Sequence, residues 1–263
     1  MRRGSSPCRN ASASAPGSSC RASRLTDSAG ATERPTDDNP GGVAEARRAA
    51  PRAVHPRNAA SLILWRAGMR GVEVLMGVRH ARHRFMPNVM VFPGGRVDRP
   101  DYRALALSEL PGFTRACLER QAPPSLARAI GIAAARELHE ETGLVLGRMD
   151  GHRLLPELSV IDYLCRAVTP PNRFMRFNAR FLIAPAEAAH GEIRGSGELE
   201  ELRFFTIEET RHHKVATITA KVLQEFQAWL GMTQAQREAR ELICFRGMDG
   251  RTPEGPARRR SAG

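Results

Sequence analysis

The order of apolar patterns along the chain predicts an α/β protein, a mixed sheet covered by helices on both faces. Three observations lead there. Apolar residues alternate or run on over Ser61–Trp65 and Val72–Val78, with Gly68 and Gly71 between them, which is hairpin patterning. Leu126, Ile130, Ala133, Ala134 and Leu138 then recur at helical spacing, and Val215, Ile218, Val222, Leu223, Phe226 and Leu230 do so again. Between these two stretches lie shorter runs that read as strands. Strands and helices mixed in this order pack as an α/β/α sandwich.

Element by element, residues 1–57 are rich in Ser, Ala, Gly, Pro and Arg and poor in large apolar side chains, so they read as a disordered basic tail. A single domain is expected over residues 58–245. It opens with the hairpin, and a short strand over Val89–Phe92 follows. Next comes a turn, Phe92-Pro93-Gly94-Gly95-Arg96-Val97-Asp98, whose glycines let backbone approach a ligand closely. Residues 102–128 are broken by Pro111, Gly112, Pro123 and Pro124 into one or two short helices, expected to cover the mouth of a site. The helix through Leu138 stops at Gly143, a residue suited to the left-handed position past a helix end. Leu158–Leu164, Cys165–Val168, Phe177–Ile183 and Leu202–Phe205 read as a helix or strand followed by three strands. The spacing predicts a closing helix over Val215–Leu230, ended by Gly231, and a disordered tail over residues 246–263.

The formal net charge is +12, but its distribution argues against a nucleic-acid surface. Residues 1–58 hold 10 basic and 5 acidic residues and residues 246–263 hold 5 and 2, so most of the excess lies in the tails. Basic stripes interleaved with aromatics are missing, and no specific nucleic acid is expected as a partner. No run approaches the roughly 18 apolar residues of a spanning helix, so no membrane is expected either. Cys8, Cys20, Cys117, Cys165 and Cys244 are odd in number and widely spaced, as reduced thiols of a cytoplasmic protein would be.

The densest chemistry sits in Arg136-Glu137-Leu138-His139-Glu140-Glu141-Thr142-Gly143-Leu144. On a helix, residues three and four apart share a face, so Glu137 meets Glu140 and Glu141, and Arg136 reaches Glu140. Like charges this close repel. A divalent cation such as Mg²⁺, which takes oxygen ligands and keeps waters for a phosphate substrate, would remove that repulsion.

These residues resemble the second half of the Nudix hydrolase box, G-x5-E-x7-R-E-U-x-E-E-x-G-U with U aliphatic, at every specified position. Counting from Gly95, the first glutamate of the pattern falls on Asp101, and the arginine expected at position 109 stands at 136. The resemblance therefore places an insertion at about 102–128, similar to the interrupted-box branch that includes peroxisomal-type coenzyme A diphosphatases. Leu75, Arg79, Arg84, Phe92, Pro93, Gly94 and Gly95 align with a second pattern of such diphosphatases, while Met76, Gly77, His80 and Asn88 depart from it. The segment from Arg173 to Phe181 is similar to a strand of the same branch, with Asn178 where an aspartate commonly sits.

The resemblance implies a Nudix-type sandwich and a hydrolase of a phosphoanhydride bond using Mg²⁺ or Mn²⁺. Its implied metal set is Glu137, Glu140, Glu141 and the Gly95 carbonyl, with Glu140 and Glu141 principal. Glu137 would bind a cation or orient water, and Arg136 would fix a carboxylate from outside. Arg79 and Arg84 would grip substrate phosphates. Asp101, Glu198, Glu200 and Glu201 are candidates for an additional acid. Phe174, Phe177 and Phe181 are expected in the core. The implied substrate is coenzyme A or an acyl-CoA, with ADP-ribose or an NADH-type dinucleotide as the alternative and a non-catalytic nucleotide sensor as a second. The partners expected are the small-molecule nucleotide and, as one option, a second copy in a homodimer.

Overall fold

The computed structural model describes residues 54–82, 87–247 and 250–255. The first hairpin is β1 (Arg57–Gly68) with β2 (Gly71–Arg79), and β3 (Met90–Val91) and β4 (Gly94–Arg96) pair with β2 and β1 respectively. A 3-10 turn at Arg99–Tyr102 leads to α1 (Gly112–Glu119) and α2 (Pro124–Thr142). Then come a second hairpin, β5 (Val145–Asp150) and β6 (Arg153–Pro156), and the strands β7 (Asp162–Val168), β8 (Phe177–Pro185), β9 (Ala189–His190) and β10 (Leu199–Thr206). The chain continues through α3 (Ile207–Thr210), α4 (Thr217–Leu230), α5 (Gln234–Ala239), β11 (Ile243–Arg246) and β12 (Gly250–Pro253).

The main sheet runs β10-β2-β1-β8-β7-β11-β12. It is mixed, because β1 pairs parallel with β8 and β7 with β11, whereas the other neighbours are antiparallel. Side-chain alternation along β1 divides the core in two. Ala60, Leu62 and Leu64 face α2, meeting Leu126, Ile130, Ala133, Ala134 and Leu138. Ile63 and Trp65 face the other way, into Val222, Leu223, Phe226 and Trp229 of α4. The expected sandwich is therefore the observed one. Leu62 is 0% exposed, and Leu62→Ala is expected to cost about 2–5 kcal/mol of stability in denaturant unfolding.

α2 begins with Pro124 in its first turn, where proline loses no helix hydrogen bond, and ends at Gly143 with φ 77°. This helix and β4 carry the residues of interest.

Several expectations change. Residues 250–254 do not leave the fold: β12 pairs with β11, and Glu254 is 4% exposed, so the domain extends beyond the expected boundary there. Within the insertion, α1 lies against α2 and β7, and the Thr114 hydroxyl donates to the Ile161 carbonyl. The break expected near Cys165 is a register shift between Tyr163 and Cys165 inside one strand, which turns both Leu164 and Cys165 toward the α4 face. Phe181 is buried, but Phe174 is 73% exposed and does not join the core. Among the described residues no helix is long and apolar enough to cross a membrane. Cys117, Cys165 and Cys244 are unpaired and buried, and Cys8 and Cys20 lie outside the described residues.

Candidate functional site

The glycine turn and the acidic end of α2 meet. β4 pairs with the start of β1, Gly94 opposite Ser61 and Gly95 opposite Ala60. Gly94 has φ 156°, and a Cβ there would lie 2.5 Å from the Ala60 carbonyl oxygen and 2.6 Å from Ser61 Cα. No other residue fits. At Gly95 a Cβ would overlap the Glu137 carboxylate. Gly95→Ala is accordingly expected to displace Glu137 and lower any metal-dependent turnover by at least about 10-fold, the scale seen when a metal site loses its support. Steady-state assays beside a thermal melt would separate that effect from unfolding.

Each carboxylate at this edge has a distinct environment. The Glu141 Oε2 accepts the Gly94 N–H at 2.9 Å. Burial pushes the Glu141 carboxyl up to about 8, the Gly94 bond opposing the shift and the Glu137 charge adding to it. Burial also raises Glu137, against the attraction of Arg136. Both carboxylates are disfavoured in charged form by the fold, a cost that a bound cation would offset.

Arg136 ties the edge to the rest of the fold. Its Nη1 donates to Glu137 Oε1 and Glu140 Oε2, both at 2.9 Å. Nε and Nη2 grip Asp101 Oδ1 and Oδ2 at 2.8 and 3.1 Å, and Nη2 also reaches the Arg96 carbonyl at 2.9 Å. The guanidinium is held strongly charged despite partial burial, because three carboxylates surround it. Asp101 is therefore occupied as the anchor of Arg136. It is 1% exposed, and its Oδ2 accepts the Asp98 N–H at 2.7 Å, so it is not available as an additional acid.

The other predicted residues divide. Burial lowers the Arg79 guanidinium, and the charges of Glu141 and Glu198 oppose that shift, so Arg79 belongs to this edge. Arg84 lies outside the described residues. Glu198 acts electrostatically on both Glu141 and Arg79. Glu200 is instead drawn to His80, 3.4 Å away, and Glu201 sits exposed at a bulge with φ 49°. One anchoring feature was absent from the sequence reading. The Arg194 amide donates to the Thr142 carbonyl at 2.7 Å, and the Ser196 amide to the Glu141 carbonyl at 3.4 Å. The loop bearing Glu198 thereby caps the C-terminal end of α2. Its local signal was the glycine cluster Gly191, Gly195 and Gly197.

The residues at this edge fit a divalent cation by their chemistry: hard oxygen donors, raised carboxyls, and backbone held close by Gly94 and Gly95. Among the described residues no three acidic, histidine or cysteine side chains are already grouped around one point. Glu137 and Glu140 are both ion-paired with the Arg136 guanidinium.

The chain is similar to known proteins over part of its length. A family model described as NUDIX domain matches residues 128–226, from the middle of α2 into α4. The glycine turn lies before the match, on the far side of the insertion. No curated protein sequence matches the chain. Among solved structures, the NUDIX hydrolase from Alicyclobacillus acidocaldarius is similar at a TM-score of 0.50 and 21% identity, over 65% of this chain and 90% of that one. The MutT NUDIX hydrolase from Burkholderia pseudomallei gives a TM-score of 0.41 and 19% identity, over 65% and 98%. Fold and match together support a hydrolase acting on pyrophosphate bonds. Residues 128–226 match the NUDIX domain model on an α/β sandwich, with the acidic helix end and the glycine turn at one edge.

Proposed function

We propose that the protein is a metal-dependent diphosphatase that splits a nucleoside diphosphate joined to another group, with coenzyme A or an acyl-CoA as substrate. The observation that carries this reading is the junction of Gly94 and Gly95 with Glu137 and Glu141. Glu140 and Glu141 are the principal groups to hold Mg²⁺ or Mn²⁺, with Glu137 and the Gly95 carbonyl completing the set. Bound there, a divalent cation would neutralise phosphate oxygens and make water more acidic. Arg136 orients Glu137 and Glu140 through paired hydrogen bonds and is itself braced by Asp101. Glu198, which acts on Glu141 through its charge, would be the acid that takes a proton from the attacking water. Arg79 would grip a substrate phosphate through its guanidinium. Water adds to one phosphorus, the P–O–P bond breaks, and two phosphate-terminated fragments leave.

Coenzyme A is favoured over other dinucleotides by the spacing of Leu75 and Arg79 ahead of Phe92-Pro93-Gly94-Gly95. The test is to incubate the protein with coenzyme A, acyl-CoA esters, ADP-ribose and NADH, with Mg²⁺ or Mn²⁺, and separate the products. Adenosine 3′,5′-bisphosphate and a phosphopantetheine, lost in Glu140→Gln, are the expected outcome. Turnover of ADP-ribose or NADH alone would reassign the substrate, and binding without products would make the domain a nucleotide sensor.

A further inference from the structure

We infer that Arg180 is a positioning residue for the glycine turn, acting from inside the fold through Asn58; the inference rests on reading the carboxylate edge as a hydrolytic site. Arg180 is 1% exposed, on the α2 face of β8. Its Nη1 donates to Asn58 Oδ1 at 2.6 Å and to the Asn178 carbonyl at 2.9 Å, and its Nη2 to the Gln121 carbonyl at 3.3 Å. Asn58 is the residue on which the glycine turn hangs. Its carbonyl accepts the Val97 N–H at 3.0 Å, and the next two residues, Ala59 and Ala60, pair with Arg96 and Gly95. The Arg96 carbonyl in turn accepts from Arg136, which holds Glu137 and Glu140. A continuous run of hydrogen bonds thus joins Arg180 to the acidic edge.

Stability alone does not explain a guanidinium at this position. Burial pulls it down to about 10, and its cross-strand partner is another buried arginine, Arg166. Arg166 has its own counter-ion, Glu254 at 2.7 Å, whose other oxygen accepts the Tyr163 hydroxyl at 2.6 Å. Taking a guanidinium out of water is costly, and none of the groups it donates to carries a charge. What Arg180 adds is direction. Three hydrogen bonds from one planar group fix the end of the insertion, the start of β8 and the start of β1 relative to one another. That relation sets where β4 lies against α2.

The experiment compares the full-length wild type with Arg180→Met and Arg180→Lys, by amide hydrogen exchange in EDTA and by Mn²⁺ binding followed by electron paramagnetic resonance. Arg180→Met is expected to stay folded, to speed exchange at residues 94–97 without affecting the centres of α2 and α4, and to weaken Mn²⁺ binding about 10-fold. Arg180→Lys, keeping the charge but not the fork, should fall between. Unchanged exchange at residues 94–97 together with unchanged Mn²⁺ affinity in folded Arg180→Met would overturn the inference. Should that variant fail to fold, Asn58→Ala decides by the same two readouts. Wild type that neither binds Mn²⁺ nor splits any substrate would sink the hydrolase reading instead, and the exchange data would still judge Arg180.

Discussion

Glu141→Gln is expected to lose turnover by roughly 10³-fold, about 4 kcal/mol of transition-state stabilisation, while the folded protein in EDTA at pH 8 becomes more stable than wild type. The two effects have one origin. Glu141 is 8% exposed, and burial makes its charged form costly in the fold. Glutamine is the same size, and its Oε1 can still accept the Gly94 N–H, so the exchange removes the charge and keeps the hydrogen bond. It also removes an oxygen donor from the proposed cation site. Activity assays with Mg²⁺ and denaturant melts in EDTA would check both halves. A variant that loses stability along with activity would show that Glu141 is held by more than the contacts described.

The second large effect is a pH dependence that the cation reverses. The Glu141 carboxyl sits at about 8 in the folded protein and near 4.5 in an unfolded chain. The folded state therefore holds the proton more tightly. The stability this contributes is fully present below about pH 4.5 and is lost progressively as pH rises through 8, a difference on the order of a few kcal/mol. Glu137, raised in the same direction, adds to the trend. A bound divalent cation favours the ionised carboxylates, so the rise in melting temperature produced by Mg²⁺ should grow from pH 5.5 to pH 8.5 and then level off. Thermal melts in EDTA and in Mg²⁺ across that range measure it, and Glu141→Gln should flatten most of the slope. A Mg²⁺ effect that is constant with pH would contradict the assignment.

What could be read from the sequence was whatever depends on neighbours along the chain. α2 was visible because its apolar positions repeat at helical spacing and Gly143 stops it. The cluster of Glu137, Glu140 and Glu141 was visible because helix geometry alone places the three together. β12 was not, because Gly250–Pro253 has little strand patterning and Glu254 is buried only through Arg166 and Tyr163, residues far away in sequence. The β5 and β6 hairpin was also missed, since half-exposed positions and Gly147 blur its alternation. Spacing could not distinguish Glu198, Glu200 and Glu201, whereas the fold gives them different surroundings: Glu198 acts by charge on Glu141, Glu200 lies 3.4 Å from His80, and Glu201 sits exposed at the register shift in β10. Asp101 was found by counting from Gly95, but its part as the partner of Arg136 came from the fold.

That last contact ties together two points 35 residues apart in the chain. The Arg136–Asp101 fork works as a drawstring: it gathers the ends of a detour so that strand and helix meet as though nothing lay between them. Because closing a loop costs only slowly more as it lengthens, such a knot lets the intervening segment be shortened, extended or exchanged over evolution while the reaction edge keeps its shape.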